Sequence, residues 1–210
     1  MRLGQVARPC VAAVILCFAN AAWTAGAPPT FRTCVTCHGV HGEGNPAVGA
    51  PAIAGQRAAY LERQLRNFRS GLRGTNAVDA FGTTMRAVAT TLPDDRTVTD
   101  LAAYLAGLPQ TTVRPAAGFD PLNGNNLYQG KCGACHGSRA EGNDALATPR
   151  LVGLEASYFR RQFANFRQGM RGAHPQDRFG KQMSLMATTV PSEKDLGDVI
   201  AYVQALGATR

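Results

Sequence analysis

The chain is written twice. At an offset of 98 residues, 34–107 lies on 132–205 without a gap, and 31 of the 74 pairs are identical. Composition alone would give roughly five. NFRSGLRG (67–74) meets NFRQGMRG (165–172), and TTLP (90–93) meets TTVP (188–191). A period this long exceeds any solenoid repeat and suits a whole small domain. The expected organisation is one unit over 26–110, a connector over 111–119 and a second unit over 120–210.

Residues 1–25 read as an export signal. Arg2 and Arg8 stand at the start without an acid, VAAVILCFA (11–19) forms a short apolar core, and small residues follow in ANAA (19–22). Basic start, apolar middle and small cleavage region is the order of a secretory signal. The core is too short to cross a bilayer comfortably as a permanent helix; an uncleaved anchor is the alternative. Cleavage would remove Cys10 and Cys17, leaving four cysteines, and would lower the formal charge from +8 to +6.

Each unit reads as helical. Tyr60, Leu61, Gln64, Leu65 and Phe68 share one helix face, with Arg57, Arg63, Arg66 and Arg69 mostly on the other. Tyr158, Phe159, Gln162, Phe163 and Phe166 repeat the pattern. A last helix opens after Pro93 and, in the second unit, after Pro191, where Ser192 is a candidate N-cap. No stretch alternates with period two for long enough to make a sheet. The fold class is therefore all-α, but with long glycine-rich loops and little core of its own, so another group should fill the middle.

Cys34-Val35-Thr36-Cys37-His38 and Cys132-Gly133-Ala134-Cys135-His136 account for all four mature cysteines. C-x-x-C-H is the attachment signature of c-type haem. Thiols three apart lie on one side of a helical turn, where each can add to a haem vinyl group, and the next residue projects its imidazole at the iron. A four-cysteine zinc site or two disulfides would also use two CxxC pairs. Neither explains a histidine after both pairs in a chain with only four histidines.

The sixth ligand decides between electron transfer and chemistry at the iron. A methionine thioether raises the haem potential and closes the open position. Met85 is the only methionine of the first unit and lies 47 residues beyond His38; the repeat places Met183 the same 47 beyond His136. Met170 and Met186 align with Leu72 and Val88 and read as packing, although Met186 lies one turn after Met183. Pro51 and Pro149 each follow their histidine by 13 residues, and a carbonyl there would orient the ring through Nδ1. Arg73 and Arg171 suit haem propionates or solvent equally. His41 and His174 have no histidine counterpart and read as surface residues, and Glu43 and Glu141 in E-G-N are weak evidence for acid–base catalysis.

An early CxxCH, a methionine about fifty residues later and a closing A-Y-[LV] helix resemble class I cytochrome c. Two such units, each with P-x-[IL]-x-G, Q-x-x-N-F-R-x-G and G-x-x-M-x-x-x-A, are similar to the dihaem cytochrome c4 family over roughly residues 30–206. The resemblance implies two tandem class I cytochrome c-like domains, each wrapped around one covalently attached haem c. Cys34, Cys37, Cys132 and Cys135 would then carry the haems, with His38 and Met85, and His136 and Met183, as axial pairs. It further implies a periplasmic carrier passing single electrons between redox proteins toward a terminal oxidase. One departure stands out: the second unit has a candidate helix before its CxxCH in NGNNLYQGK (123–131), whereas APPTFRT (27–33) has two prolines that oppose one. The first haem should accordingly be the more exposed along one edge.

No basic cluster interleaves with aromatics, so nucleic acid is not an expected partner. A diffuse positive face can steer encounter with an acidic redox protein, and it admits transient docking on a membrane complex. The expected role is an electron carrier with no small-molecule substrate and no catalysis of its own. The alternative is the dihaem subunit of a periplasmic oxidoreductase complex such as a flavocytochrome c sulfide dehydrogenase. A dihaem enzyme would need an open or unusual iron ligand, against which Met85 and Met183 stand.

Overall fold

The computed structural model describes residues 26–208; the export-signal reading of 1–25 lies outside the described residues. The first unit contains α1 (Phe31–His38), α2 (Ala58–Ser70), α3 (Ala80–Ala89) and α4 (Asp95–Gly107). The second contains α5 (Pro121–Lys131), α6 (Gly133–His136), α7 (Ala156–Arg167), α8 (Arg178–Ala187) and α9 (Glu193–Ala208). Among the described residues there is no strand, only the isolated bridges Asn45–Ala50 and Asn143–Thr148, so the all-helical expectation holds.

Local chemistry sets the helix ends. Asp79 and Asp177 cap α3 and α8 by accepting from Gly82 N (3.0 Å) and Gly180 N (2.9 Å). Asp94 caps α4 through Thr97 N at 2.7 Å, and Ser192 takes Asp195 N at 3.1 Å in the second unit, as its position suggests. Glycines are required where the turn after α2 or α7 meets the next helix. A Cβ on Gly74 would lie 2.4 Å from Gly82 O, and one on Gly172 would lie 2.3 Å from Gly180 O, each at positive φ.

The units differ at their N-terminal edges. In the second, α5 lies along α9 so closely that a Cβ on Gly124 would meet Asp198 O at 2.1 Å. Asp198 is fully buried and ties the two helices together by accepting from Asp120 N (2.9 Å), Asn123 Nδ2 (2.7 Å) and Lys194 Nζ (2.7 Å). Among the described residues nothing precedes α1 to play that part in the first unit. Phe31 instead packs its ring 5.2 Å from Tyr104 of α4, matching the contact of Tyr128 with Tyr202 at 5.7 Å. The connecting segment is tied down rather than loose: Val113 is buried, Ala116 N donates to Gln204 Oε1 (3.3 Å), and Arg150 Nη1 donates to Gln110 Oε1 (2.8 Å).

Candidate functional site

Each CxxCH segment closes a helix, and the following glycine takes φ of 83° to turn the chain back over it. The loop that follows is built the same way twice. Glu43 accepts from His41 N and Glu141 from Arg139 N, both at 2.8 Å, so these carboxylates brace a turn. His41 is exposed; His174 is half-buried, and its Nδ1 accepts from Gln176 N at 3.2 Å. The loop then returns a proline carbonyl to the histidine: His38 Nδ1 donates to Pro51 O at 2.8 Å and His136 Nδ1 to Pro149 O at 3.0 Å. A carbonyl can only accept, so Nδ1 carries the proton and the Nε2 lone pair is left for a ligand. Burial pushes both imidazole pKa values down against the opposing effect of those bonds, which favours the neutral ring.

In the second unit Cys132, Cys135, His136 and Met183 border one cavity of about 190 Å³, with Phe163, Phe166 and Val190 among its apolar walls. In the first, Cys34 and Met85 share one apolar cluster with Leu61, Leu65 and Phe68. Among the described residues the four motif cysteines form no disulfide, and burial raises Cys34 and brings Cys132 up to about 11. Among the described residues no three His, Cys, Asp or Glu side chains converge on a point, so the two CxxC pairs do not build one zinc site.

The motif residues of the two sites differ in exposure. Cys34 and His38 are 9% and 8% exposed, whereas Cys135 is exposed and His136 half-buried. Phe31, 3% exposed against Tyr104, closes the edge that a preceding helix would otherwise have covered.

The cavity of the second unit does not stop at its own walls. Ile53, Tyr60, Leu61 and Gln64 of the first unit also line it, because the two units meet there with near two-fold symmetry. Arg73 donates to Gln64 Oε1 (2.7 Å) and to Gln162 Oε1 (2.8 Å); Arg171 donates to Gln162 Oε1 and Gln64 Oε1, both at 2.8 Å. Arg63 donates to Ala147 O and lies 4.3 Å over the Phe179 ring, while Arg161 donates to Gly49 O and lies 4.1 Å over Phe81. Arg57 also crosses, to Glu141 O (2.9 Å) and the Asp144 carboxylate (3.1 Å). The arginines set opposite the apolar face of α2 thus divide: Arg57 and Arg63 face the other unit, and Arg66 and Arg69 pair with Asp95.

Arg73 and Arg171 are each 8% exposed, hydrogen-bonded to amide oxygens, and Arg171 also reaches Tyr60 Oη at 3.2 Å. They are not solvated surface residues. Among the described residues neither makes an ion pair, and Arg73 Nε is buried without an acceptor. Two buried cations with only neutral acceptors are costly on their own. An apolar cavity, paired thiols, oriented imidazoles and buried guanidinium groups without an ion-paired carboxylate fit a flat apolar macrocycle that bears carboxylates.

Comparison with known proteins agrees with that geometry. The cytochrome c family model matches residues 26–109 and again 122–207. The chain is 32% identical to cytochrome c4 of Azotobacter vinelandii over 187 residues, 82% of this chain and 84% of that one. It is 34% identical to a thiosulfate dehydrogenase electron acceptor of Thiomonas intermedia, over 75% of this chain and 72% of that one. Its fold superposes on the crystal structure of reduced recombinant cytochrome c4 from Pseudomonas stutzeri with a TM-score of 0.66, at 29% identity, covering 83% of this chain and 93% of that one. Two cytochrome c domains bring two covalently attached haems c, and the chain belongs to the dihaem cytochrome c4 family.

Proposed function

We propose that this protein is a periplasmic electron carrier in which units 26–110 and 120–210, joined by 111–119, each hold one haem. Residues 1–25 would direct export. Cys34 and Cys37 hold the first haem and Cys132 and Cys135 the second, through thioether bonds. His38 with Met85 would hold the first iron, and His136 with Met183 the second. Bound haem supplies reversible one-electron cycling of its iron, and the chain's own residues fix how that occurs. Pro51 O and Pro149 O hold each imidazole in one tautomer and orientation. The apolar walls exclude water, and Arg73 and Arg171 supply positive charge for the propionates.

The observation that carries this reading is the second cavity, where two thiols, an oriented imidazole and a thioether border a single apolar space. Protein ligands on both sides of the iron would leave no place for a substrate, so the protein carries electrons and does no chemistry of its own. The destination is a redox protein, with a terminal oxidase as the leading acceptor. A second reading, a dedicated acceptor for one periplasmic oxidoreductase, is favoured by the relative named as a thiosulfate dehydrogenase electron acceptor. Untagged purification with haem absorbance followed through size exclusion separates them. A peak at the size of one chain with two haems by pyridine haemochrome supports the carrier. A larger complex carrying other cofactors supports the subunit, and fewer than two haems per chain defeats both.

A further inference from the structure

We propose that α8 offers the second haem iron two interchangeable thioethers, Met183 and Met186, so that the second unit, unlike the first, has two ligation states. The proposal rests on the axial assignment of Met183 made above. Both methionines line the cavity that also holds Cys132, Cys135 and His136. They are three residues apart on one helix, which sets them about 4.5 Å apart along the axis and about 60° apart around it. Their Cβ atoms are then about 5–6 Å apart. Each sulfur stands two flexible bonds beyond its Cβ, so both can reach one point between them.

The two positions differ in a way that separates the states. Met183 is half-buried and packs against the cluster of Phe163, Phe166 and Val190. Met186 is 38% exposed, at the rim. In the resting state Met183 Sδ holds the iron; in the other, that bond breaks and Met186 Sδ forms the new one, with no proton or electron transferred. Ligation from the rim admits water beside the iron, which lowers its potential. The first unit has no such choice, because Val88 stands where Met186 does and Met85 is its only methionine. The cysteines of the second site are also the less covered, Cys132 half-buried where Cys34 is buried and Cys135 exposed where Cys37 is half-buried.

The test uses the full two-haem protein and counts iron-bound methionines by proton NMR of the reduced form, where a ligating methyl group is shifted far upfield. Wild type should show two such methyls. Met183→Ala should still show two, one of them moved, and should keep the full thioether-to-iron charge-transfer band of the oxidised form. The double variant Met183→Ala/Met186→Ala should show one methyl and half the band. One methyl in Met183→Ala alone overturns the proposal. Fewer than two in wild type means instead that the axial assignment itself is wrong. Should Met183→Ala fail to fold, Met186→Leu decides: the Met183 methyl line, broadened by exchange in wild type, should sharpen, and an unchanged width refutes the second state.

Discussion

Gly124→Ala, set beside Gly130→Ala, isolates the closest helix contact in the molecule's second half. Both glycines lie in α5, so both replacements gain the same helix propensity, about 0.5–1 kcal/mol. A Cβ at Gly130 meets nothing within 4 Å, so that gain should appear almost undiminished. At Gly124 the Cβ would lie 2.1 Å from Asp198 O, 2.6 Å from Asp198 C and 2.9 Å from Tyr202 Cβ, all on α9. Backbone cannot turn aside as a flexible side chain does, so α5 must move outward by about 1 Å to restore ordinary contact. That shift strains the Asn123 bond to Asp198 (2.7 Å) and loosens Tyr128 from Tyr202. Overpacking of this kind costs about 1–3 kcal/mol and a weakened bond to a charged group about 1.5 kcal/mol more. After the propensity gain, Gly124→Ala should be less stable than wild type by roughly 3 kcal/mol, and Gly130→Ala slightly more stable. Urea unfolding of the two-haem protein, followed by helical circular dichroism, reads both. Equal midpoints for the two variants would refute the close packing of α5 on α9 and the role given to Asp198.

Three further outcomes follow from named contacts. Met85→Ala should lower the midpoint of one haem and leave the other nearly unchanged in a redox titration, because Met85 lies in the first unit's core cluster; two moved midpoints or none would contradict that. Asp198 has its pKa held down to about 2 by the bonds from Lys194 and Asn123, so its contribution to stability is complete above the unfolded value near 4 and is lost as pH falls toward 2. The melting temperature should therefore drop between about pH 4 and 2, and Asp198→Asn should flatten that drop; an equally steep fall in the variant would show that other groups cause it. Arg171→Gln removes the bonds to Gln64 and Tyr60 across the units, so a protease should cut the connecting segment several-fold faster; an unchanged cutting rate would mean that the other crossing bonds suffice.

What the sequence discloses depends on whether chemistry or surroundings dictate a residue. The attachment cysteines, the histidines and the proline carbonyls 13 residues on follow from bonding geometry, which leaves few residue types free. The interface is harder, because an arginine on the polar face of a helix looks the same whether it meets water or another unit. Part of the information was present at constant offset. Tyr60, Arg63, Gln64, Arg73 and Phe81 recur as Tyr158, Arg161, Gln162, Arg171 and Phe179, whereas Arg66 becomes Ala164. Recurrence alone still misleads, since Arg69 and Arg167 recur yet pair within their own units with Asp95 and Glu193, and Arg57, which crosses, aligns with Glu155. Identity marks a polar side chain with a fixed partner; which unit holds the partner is a tertiary fact.

The edge of the first site depends on tertiary packing in the same way. Two prolines before α1 oppose a helix, and the structure agrees, but a missing helix need not leave an open edge. One aromatic ring at the right place suffices: Phe31 lies against Tyr104 and leaves Cys34 and His38 buried. Duplication explains what remains alike, the reciprocal contacts made by Arg63 and Arg161 and by Arg73 and Arg171, because a two-fold contact is made by the same residues on both sides. Differences lie at the margin of that contact, where Arg57 crosses but aligns with Glu155, and farther out, at the outer edge of each unit and along the outer part of α8. There α5 replaces Phe31 and Met186 replaces Val88. The constraint that keeps the units alike where they touch thus leaves the ligand sphere of each iron free to diverge, and two haems in near-copies of one domain need not share one potential.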